Sequence, residues 1–571
     1  MLNIEHAIQQ KFPNFVHKSL CIKKPTLGLL RKLSHEQEVN HFLDTHQDLQ
    51  GFDFVAQVLE HFNFSYSITN RDRNNIPASG RLVIVANHPL GALDGLCLLK
   101  LVAEIRRDVK IIVNDMLMNF HAINDLLLPV DNINKSTQKT SFAQIIAALN
   151  NDEAVIIFPA GEVSRIRPSG VRDGKWTSGF LHFAKKTNSP ILPVFVEARN
   201  SSLFYSSSIV YKPMAAMLLA HEIFNKHSQT ITLKVGPAIP YQKIKVLPLA
   251  KKETVKLLRR HVYRIGKGKS SLFETEQTII HPQERRAIKK ELQQAELLGE
   301  TKEGMKIYLF DYQPDSAVMN EIGRLREITF RQVGEGTGKK SDIDRYDRDY
   351  RQLILWDEKA LEIAGAYRLA EVKKVFLKSD PRGIYSQELF DYNHTNMAAY
   401  FEQGIELGRS FVSPKYWGKR SLDYLWYGIG AYLKRYPEIR YLFGPVSLSD
   451  RYPEFAKALI IGFYQHYFKD KEQLATARVP YQIKTDLQQR LNDVITGLDY
   501  KEDFKAMRLQ LAHMNVSIPT LYKQYADLCD TGGVRFIDFS IDADFGHCID
   551  GLVMVDLQAL KVSKHKRYLA D

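Results

Sequence analysis

The stretch that decides the fold is RLVIVANHPLGALDG, residues 81–95. Its first part, RLVIVA (81–86), is an apolar run of strand length, and DGLCLLKLVAEIRR (94–107) is long enough for a helix. Between them lies a turn that carries His88. Because ligands of open α/β sheets bind at the carboxyl ends of strands, we expect a functional site at this turn.

The alternation of strand and helix continues along the chain. The segments of strand or helix length are VKIIV (109–113), TSFAQIIAALNN (140–151), AVIIF (154–158), SGFLHFAKK (178–186), ILPVFVEA (191–198) and TITLKVG (230–236). This order predicts an α/β domain with a mostly parallel sheet over residues 66–275, preceded by a helical N-terminal region at 1–65.

A second α/β domain is predicted over residues 306–571. KIYLFD (306–311) begins a new alternation, and LVMVDL (552–557) closes it after a helical insertion. Residues 276–305 are charged and contain few large apolar side chains, which predicts a solvated helical linker. A length of 571 residues fits such a division into several domains.

The composition is typical of a globular protein and has a surplus of basic residues. Lys and Arg number 78 against 65 Asp and Glu, which gives a formal net charge of +13 and favours anionic partners. The four cysteines fit neither a disulfide framework nor a zinc ribbon, so we expect a reducing, cytoplasmic setting. We find no signal-peptide pattern and no uninterrupted apolar stretch of about 18 residues, so a membrane contact is expected to be peripheral.

His88 and Asp94 form the first candidate pair. A histidine with a carboxylate within reach can take a proton from a hydroxyl, although the two could equally be a loop histidine and a helix-capping aspartate. A second block, Phe158-Pro159-Ala160-Gly161-Glu162-Val163-Ser164-Arg165, ends the strand AVIIF. Its glycine permits close backbone approach, and its arginine can bind an anion. A third block is Ile191-Leu192-Pro193-Val194.

Together, in this order, the three blocks resemble the glycerolipid acyltransferase family over roughly residues 70–275. The resemblance implies that His88 is the general base and that Asp94 orients it. It also implies acceptor contacts by Asn87, Gly161, Glu162 and Arg165.

Two departures from the family pattern stand out. Five residues rather than four separate the His from the Asp, and Ala160 and Val163 replace the family's Glu and Arg. Because the displaced Glu and Arg belong to the block that the family associates with the acceptor's phosphate, an acceptor without a glycerol phosphate becomes plausible.

The C-terminal domain carries a second set of charged residues. In chain order they are Arg326, in the element Arg-x3-Phe330, then Asp342, Asp344 and Asp347, then Arg368, Glu406 and Arg409. The aspartates fit either a solvated loop or a metal site. Glu406 and Arg409 are three apart on a strand, so we expect their side chains on opposite faces. The turn with Lys415, Gly418, Lys419 and Arg420 offers positive charge and helix N-terminal amides to a phosphate.

This set resembles the acetyltransferase-like (GNAT-like) fold of N-acyltransferases that use acyl carrier protein, such as autoinducer synthases and ornithine N-acyltransferases. The resemblance covers roughly residues 306–571. It implies that Glu406 takes the amine proton, directly or through water. It also implies a substrate site that includes Arg326, Asp344, Asp347, Arg368 and Arg409.

The turn lacks the final small residue of an acetyl-CoA site. Lys415, Gly418, Lys419 and Arg420 therefore suit the single phosphodiester of a carrier-bound phosphopantetheine, with acyl-CoA as the alternative donor.

An O-acyltransferase domain followed by such an N-acyltransferase domain resembles the bifunctional ornithine lipid synthases of bacteria. The family implies that the C-terminal domain acylates the α-amine of ornithine with a 3-hydroxyacyl chain from acyl carrier protein. The N-terminal domain then acylates the 3-hydroxyl of that lyso-lipid. The resemblance further implies no bound cofactor or metal, and a peripheral location on the inner face of the cytoplasmic membrane.

Three alternatives stay open. The chain could make another amino-acid lipid, such as a glycine lipid, or be a lysophospholipid acyltransferase fused to an acetyl-CoA-dependent GNAT domain. The third alternative is a basic nucleic-acid or membrane adaptor with inactive folds. The intact His88 and Asp94 and the lack of a nucleic-acid motif argue against an adaptor.

Residues 204–224 are the expected membrane contact, because Met214, Met217, Leu218 and Phe224 lie at near-helical spacing. The basic stretch 251–269 follows them and would meet anionic lipids. A core helix of the domain is the other interpretation of the same segment.

Overall fold

The computed structural model of the chain describes residues 5, 27–28, 31–32, 35–114, 121–130, 135–168, 170–202, 204–206, 221–378 and 383–569. The chain divides into two compact units, Met1–Thr278 and Ile279–Asp571. Most of the segment 204–224, including its methionines, lies outside the described residues.

Strands and helices alternate in the first unit as the sequence predicts. Its strands are β1 (Ser65–Ser67), β2 (Leu82–Ala86), β3 (Val109–Asn114), β4 (Leu127–Val130), β5 (Ala154–Ile157), β6 (Arg165–Arg167), β7 (Gly170–Arg172), β8 (Ile191–Glu197) and β9 (Thr230–Val235). Its helices are α1 (Glu36–Thr45), α2 (Gly51–His61), α3 (Asn70–Arg73), α4 (Ala92–Ala103), α5 (Lys135–Asn150), α6 (Gly179–Thr187), α7 (Tyr241–Lys245) and α8 (Lys251–Gly266).

Among the described residues, seven strands form one sheet in the order β1-β9-β8-β2-β5-β3-β4. Every neighbouring pair is parallel except β8 with β9, which confirms the predicted mostly parallel sheet. Strands β6 and β7 form a separate hairpin.

Strand β2 lies in the middle of this sheet, with helices on both faces. Its consecutive residues Ile84 and Val85 belong to two different apolar clusters, one packed with α4 and the other with α8. Because both faces of the strand are buried, its sequence is a continuous apolar run rather than an alternation of apolar and polar residues. Its neighbours β5 and β8 run parallel to it, so the three blocks identified in the sequence meet at one edge.

The second unit is built around a larger, mainly antiparallel sheet. Its strands are β10 (Glu296–Glu300), β11 (Met305–Phe310), β12 (Arg351–Asp357), β13 (Glu362–Glu371), β14 (Phe390–Tyr392), β15 (Gly404–Val412), β16 (Tyr441–Leu448), β17 (Ala475–Ala477), β18 (Val534–Asp542) and β19 (Cys548–Asp556). Among the described residues, eight of them form a sheet in the order β10-β11-β12-β13-β15-β16-β19-β18.

The helices of this unit complete the fold. They are α9 (Arg285–Leu292), α10 (Ala317–Val333), α11 (Val372–Phe376), α12 (His394–Glu402), α13 (Ser421–Arg435), α14 (Glu454–Tyr467), α15 (Thr485–Asn492), α16 (Tyr500–His513), α17 (Thr520–Ala526) and α18 (Val562–Tyr568). Helices α14 to α17 lie between β16 and β18 in the chain, which is the helical insertion expected from the sequence.

The segment 276–305, expected to be a solvated linker, is structured instead. Helix α9 buries Ile288 and Leu292, and β10 pairs with β11 at the edge of the sheet. The sequence concealed this strand because an edge strand needs few large apolar residues, and none of the five residues of β10 is fully buried.

The centre of the sheet opens where β15 leaves β16. The two strands pair in parallel only from Gly404 and Tyr441 to Glu406 and Phe443. At the divergence the backbones still approach closely, because a Cβ added to Gly444 would lie 2.0 Å from the carbonyl oxygen of Leu407. Beyond this point the backbone groups of the two strands no longer pair with each other.

Candidate functional site

His88 lies in the turn between β2 and α4, and a buried carboxylate holds its ring. Its Nδ1 lies 3.2 Å from Oδ2 of Asp94, whose side chain is 0% exposed. The same Oδ2 accepts backbone hydrogen bonds from Leu90 (2.8 Å) and Gly91 (3.2 Å). Asp94 therefore both caps the helix and faces the histidine. The helix-capping role and the pairing with His88, which the sequence offered as alternatives, occur in the same residue. The pair leaves Nε2 as the ring nitrogen that can act on a substrate.

Burial and stacking set the electrostatics of this pair. Desolvation raises the pKa of Asp94, although the contact with His88 and the two backbone N–H groups oppose that rise. The His88 ring stacks on Phe158 at a centroid distance of 3.9 Å. The stacked ring and the carboxylate fix the imidazole orientation, which is what a general base requires.

Asn87 is occupied by the fold. Its side-chain nitrogen donates to the carbonyl of Val196 (2.9 Å), and its side-chain oxygen accepts from the N–H of Val196 (2.7 Å). These bonds tie the end of β2 to β8, so the asparagine positions the turn with both of its side-chain polar groups.

Asp173 is a component of this site that the sequence did not reveal. Its carboxylate accepts from the backbone N–H of His88 (3.1 Å), the hydroxyl of Ser164 (2.5 Å) and the indole of Trp176 (2.7 Å). Its backbone is held in turn by α8, through Tyr263 and Arg259. In the sequence an Asp-Gly pair indicates only a turn, and nothing local marks this aspartate as buried.

Arg165 lies beside the histidine turn. The N–H of the preceding residue, Ser164, donates to the carbonyl of His88 at 2.7 Å. Nη2 of Arg165 lies 3.4 Å from Glu162, whereas its Nε and Nη1 are enclosed and have no hydrogen-bond partner among the described residues. Gly161 turns this loop with φ of 65°. The guanidinium can therefore donate hydrogen bonds to a carboxylate or a phosphate.

The aspartates of the C-terminal unit form ion pairs with three arginines, which corrects the expectation of a solvated loop or a metal site. Arg326 donates to Asp347 (2.9 Å) and to Gln352 (2.7 Å), and all three side chains are buried. Burial alone would raise the pKa of Asp347, but Arg326 and Arg368 lower it to about 2. No group of acidic, histidine or cysteine side chains suited to a metal occurs in the described part of the chain.

We call these ion pairs of Arg326, Arg368 and Arg409 with the aspartates the arginine network. Arg368 lies in its middle, because it contacts both Asp344 and Asp347. Its Nη1 donates to Asp344 at 2.7 Å, and the side chain is 0% exposed. Its guanidinium lies over the rings of Tyr350 and Tyr385, each with a centroid distance of 5.0 Å. Two of its nitrogens, Nε and Nη2, have no hydrogen-bond partner among the described residues.

Glu406 and Arg409 contact the same residue, contrary to the expectation that they lie on opposite faces. Tyr385 donates its N–H to Glu406 (3.0 Å) and accepts at its hydroxyl from Arg409 (3.3 Å). The cause is a β-bulge, because β15 places two residues opposite Tyr367 and Arg409 adopts φ of 45°. A bulge resets the alternation of side chains, and a spacing of three no longer separates the faces.

Glu406 is buried and accepts several hydrogen bonds. Tyr350 donates its hydroxyl to the carboxylate, and the N–H groups of Tyr385 (3.0 Å) and Ser386 (2.9 Å) donate as well. Burial raises its pKa. This arrangement fixes the turn that carries Tyr385.

Further acidic groups that the sequence did not indicate lie around Tyr385. The tyrosine hydroxyl donates to Asp542 (2.8 Å), and Ser447 on the diverging part of β16 donates to Asp550 (2.8 Å). Burial, together with the neighbouring Asp542, raises the pKa of Asp550 to about 7. The unit therefore contains a buried carboxyl that changes charge near neutral pH.

We call the turn with Lys415, Gly418, Lys419 and Arg420 the donor turn. Its three basic residues differ in whether they form ion pairs. Lys415 pairs with Glu362 (2.5 Å), and Arg420 lies 3.5 Å from Asp423. Lys419 has no ion pair with any described residue, and its ammonium lies 5.0 Å from the centroid of Tyr416.

The turn itself leads into the N-terminus of α13. Gly418 adopts φ of 72°, and the buried hydroxyl of Ser421, the first residue of α13, has no partner among the described residues. The ammonium of Lys419, unpaired within the described residues, and the amides at the start of α13 together suit a phosphate.

Each of the two units matches a known protein family. Residues 12–271 match a family model described as Acyltransferase, and residues 325–427 match one described as Acetyltransferase (GNAT) domain. These matches confirm the predicted order, an acyltransferase domain followed by a GNAT-like domain.

Three curated relatives are similar to this chain. A glycine N(alpha)-acyltransferase of Phocaeicola vulgatus is 32% identical over 303 residues, covering 51% of this chain and 92% of the relative. A lyso-glycine lipid O-acyltransferase of the same organism is 30% identical, covering 42% of this chain and 87% of the relative. An L-ornithine N(alpha)-acyltransferase of Brucella abortus is 26% identical, covering 30% and 70%. In the described part of the chain, no helix is both long and apolar enough to span a membrane.

Proposed function

The chain belongs to the amino-acid lipid acyltransferase family, and on that premise we propose that it carries out two successive acyl transfers. The C-terminal unit acylates the α-amine of an amino acid with a 3-hydroxyacyl chain, and the N-terminal unit then acylates the hydroxyl of that lyso-lipid. The observation that carries this proposal is the His88–Asp94 pair, 3.2 Å apart, in a chain that also contains the arginine network of a GNAT-like unit.

In the N-terminal unit, Nε2 of His88 takes the proton of the lyso-lipid hydroxyl as its oxygen attacks the thioester carbonyl. The C–S bond then breaks, and the imidazolium returns the proton to the departing thiolate. Asp94 stabilises the imidazolium at Nδ1, and Asp173 holds the backbone of the histidine. Arg165 supplies the anion contact, because two of its nitrogens have no partner among the described residues and it adjoins the histidine turn. A carboxylate of an amino-acid lipid fits this contact as well as a phosphate does.

In the C-terminal unit, the amine attacks the donor thioester, the C–S bond breaks, and the proton that the amine loses passes to the departing thiolate. Glu406, predicted from the sequence to take that proton, is engaged by three donors. We therefore assign Glu406 to positioning Tyr385, which together with Arg409 and Arg368 forms the acceptor site. Arg368 retains two unpartnered nitrogens within the described structure, which suit the α-carboxylate of the amino acid.

Glycine and ornithine are the two candidate amino acids. Glycine is supported by two relatives, named a glycine N(alpha)-acyltransferase and a lyso-glycine lipid O-acyltransferase, which each match this chain over most of their own length. Ornithine, the amino acid expected from the sequence, is favoured by the match to the Brucella abortus enzyme. The proposed donor is a 3-hydroxyacyl chain on acyl carrier protein, since the donor turn offers one free cation, Lys419, rather than a site built for a pyrophosphate.

The deciding experiment is expression in a bacterial host that lacks aminolipids, followed by mass spectrometry of the lipid extract. We expect a new diacylated amino-acid lipid, and the mass of its headgroup distinguishes glycine from ornithine. A new phospholipid in place of an aminolipid would contradict the proposal and support the lysophospholipid acyltransferase alternative.

A further inference from the structure

The loop between α7 and α8 exposes apolar side chains at the surface of the N-terminal unit. We define the α7–α8 loop as residues 245–252. Val246 is 75% exposed and Leu249 is 43% exposed. Neither side chain belongs to the core clusters of this unit, whereas the intervening Leu247 packs against one of them. The loop is therefore anchored at its middle while two apolar side chains face solvent.

Lysines flank these apolar residues on both sides. Lys245, Lys251 and Lys252 are exposed and form no ion pair with any residue that the structure describes. The neighbouring acidic residues are already engaged, since Glu253 pairs with Lys256 and Glu274 pairs with Lys243. The α7–α8 loop thus presents an apolar pair within a surplus of free positive charge.

Helix α8 connects this loop to the histidine site. Its buried face packs through Val255 and Leu258 on the sheet, and one turn further its side chains reach the backbone of Asp173. From Lys251 to Arg259 the helix advances about 12 Å. A contact at the loop would therefore hold the catalytic turn close to whatever surface the loop meets.

We propose that the α7–α8 loop is the bilayer contact of this unit. Val246 and Leu249 enter the boundary between headgroups and acyl chains, and the three free lysines meet anionic headgroups. In one respect this inference rests on the proposed function, because a lyso-lipid acceptor resides in a membrane. The site is distinct from the segment 204–224 expected from the sequence.

A bilayer fits this surface better than an acidic carrier protein does. Stable protein interfaces bury about 800 Å² on each partner around a continuous apolar centre. Two apolar side chains on one loop fall well short of such a centre. A fluid bilayer needs no complementary shape, and apolar residues between lysines are typical of segments that bind at its surface.

The test is sedimentation of the purified full-length chain with vesicles of phosphatidylcholine alone or mixed with phosphatidylglycerol. We expect binding to the anionic vesicles that weakens at high salt. The double variant V246S/L249S should bind roughly tenfold more weakly at any salt concentration, because it loses apolar burial. The triple variant K245E/K251E/K252E should lose at least tenfold at low salt and most of its salt dependence.

Leu498→Ser is the matched control, because Leu498 is 91% exposed but is followed by Asp499 rather than lysine. Its vesicle binding should equal that of the unaltered chain. Wild-type binding by both loop variants would overturn the proposal. So would loop variants that bind vesicles normally but fail to bind acyl carrier protein. Vesicle binding needs no turnover, so O-acylation of micellar lyso-lipid tests the proposed function separately and should persist in V246S/L249S.

Discussion

At the residue scale, His88 is held by two carboxylates that act on different atoms. Asp94 contacts Nδ1 of the ring, and Asp173 accepts from the backbone N–H. We expect His88→Ala to lower O-acylation by about 10²–10⁴-fold, because a general base contributes that much. N-acylation should continue, so the mono-acylated amino acid should accumulate in lipid extracts. A folded variant that yields neither intermediate nor product would contradict separate sites.

Asp550 should make stability depend on pH. Its pKa in the folded protein is about 7, above the ordinary value of 3.8, so the folded state binds more protons than the unfolded state between these values. The free energy of unfolding therefore falls as pH rises through this range, by up to about 4 kcal/mol, and levels off above pH 7.

The Asp550→Asn variant removes this titration. In urea unfolding at pH 5 and pH 8, we expect the variant to lose less stability between the two values than the unaltered chain does. An equal loss in both proteins would show that Asp550 is ionised throughout.

Some residue roles could be predicted from sequence and others could not. His88 and Asp94 were predictable because one turn brings them together and the motif is local. Asp173 was not, since its partners Ser164 and Tyr263 come from separate parts of the chain. Arg409 was assigned to the wrong face because a bulge leaves no mark in the alternation of residues.

At the scale of elements, two basic residues at the start of α13 differ in their ion pairing, although the sequence gives no sign of a difference between them. Lys419 has no ion pair within the described structure, whereas Arg420 lies 3.5 Å from Asp423. We expect 3-hydroxyacyl carrier protein to be used far better than the matching acyl-CoA in N-acylation. Lys419→Glu should raise the donor KM several-fold and weaken its salt dependence, with a smaller effect from Arg420→Glu. Equal kcat/KM for the two donors would count against the carrier protein.

The divergence of β15 and β16 depends on Gly444. A Cβ at this position would lie 2.0 Å from the carbonyl oxygen of Leu407, so Gly444→Ala must push the strands apart. We expect a loss of about 1–3 kcal/mol of stability, together with reduced N-acylation. Gly299→Ala is the control, because Gly299 also lies in a strand and has nothing within 4 Å of an added Cβ. Thermal unfolding of both variants measures the difference.

Strands buried on both faces were the most predictable elements. The apolar run of β2 has the length of a strand and ends at a turn, and the structure places it at the middle of the sheet. Edge strand β10 was missed, since its sequence, ELLGE, has neither a long apolar run nor strict alternation. Pairing at an edge is decided by the neighbouring strand rather than by the strand's own composition.

At the scale of the whole molecule, the chain divides into two compact units, and each contains one of the two candidate sites. Among the residues that the structure describes, those named above for the His88 site lie in the first unit, and those named for the arginine network lie in the second. Under the proposed function, acyl transfer in two successive steps requires that the lyso-lipid leave the N-acylation site before it reacts at His88.

Mixing two full-length variants tests this requirement. His88→Ala keeps the GNAT-like unit intact, and Arg409→Ala keeps the histidine site intact, which O-acylation of added lyso-lipid verifies. Each variant alone should make far less diacylated lipid than the unaltered chain does. Their mixture should make it on shared vesicles, more slowly than the unaltered chain, because the intermediate must pass between molecules through the bilayer. If the mixture makes none while both half-reactions persist, the intermediate is handed over within one chain and never reaches the membrane.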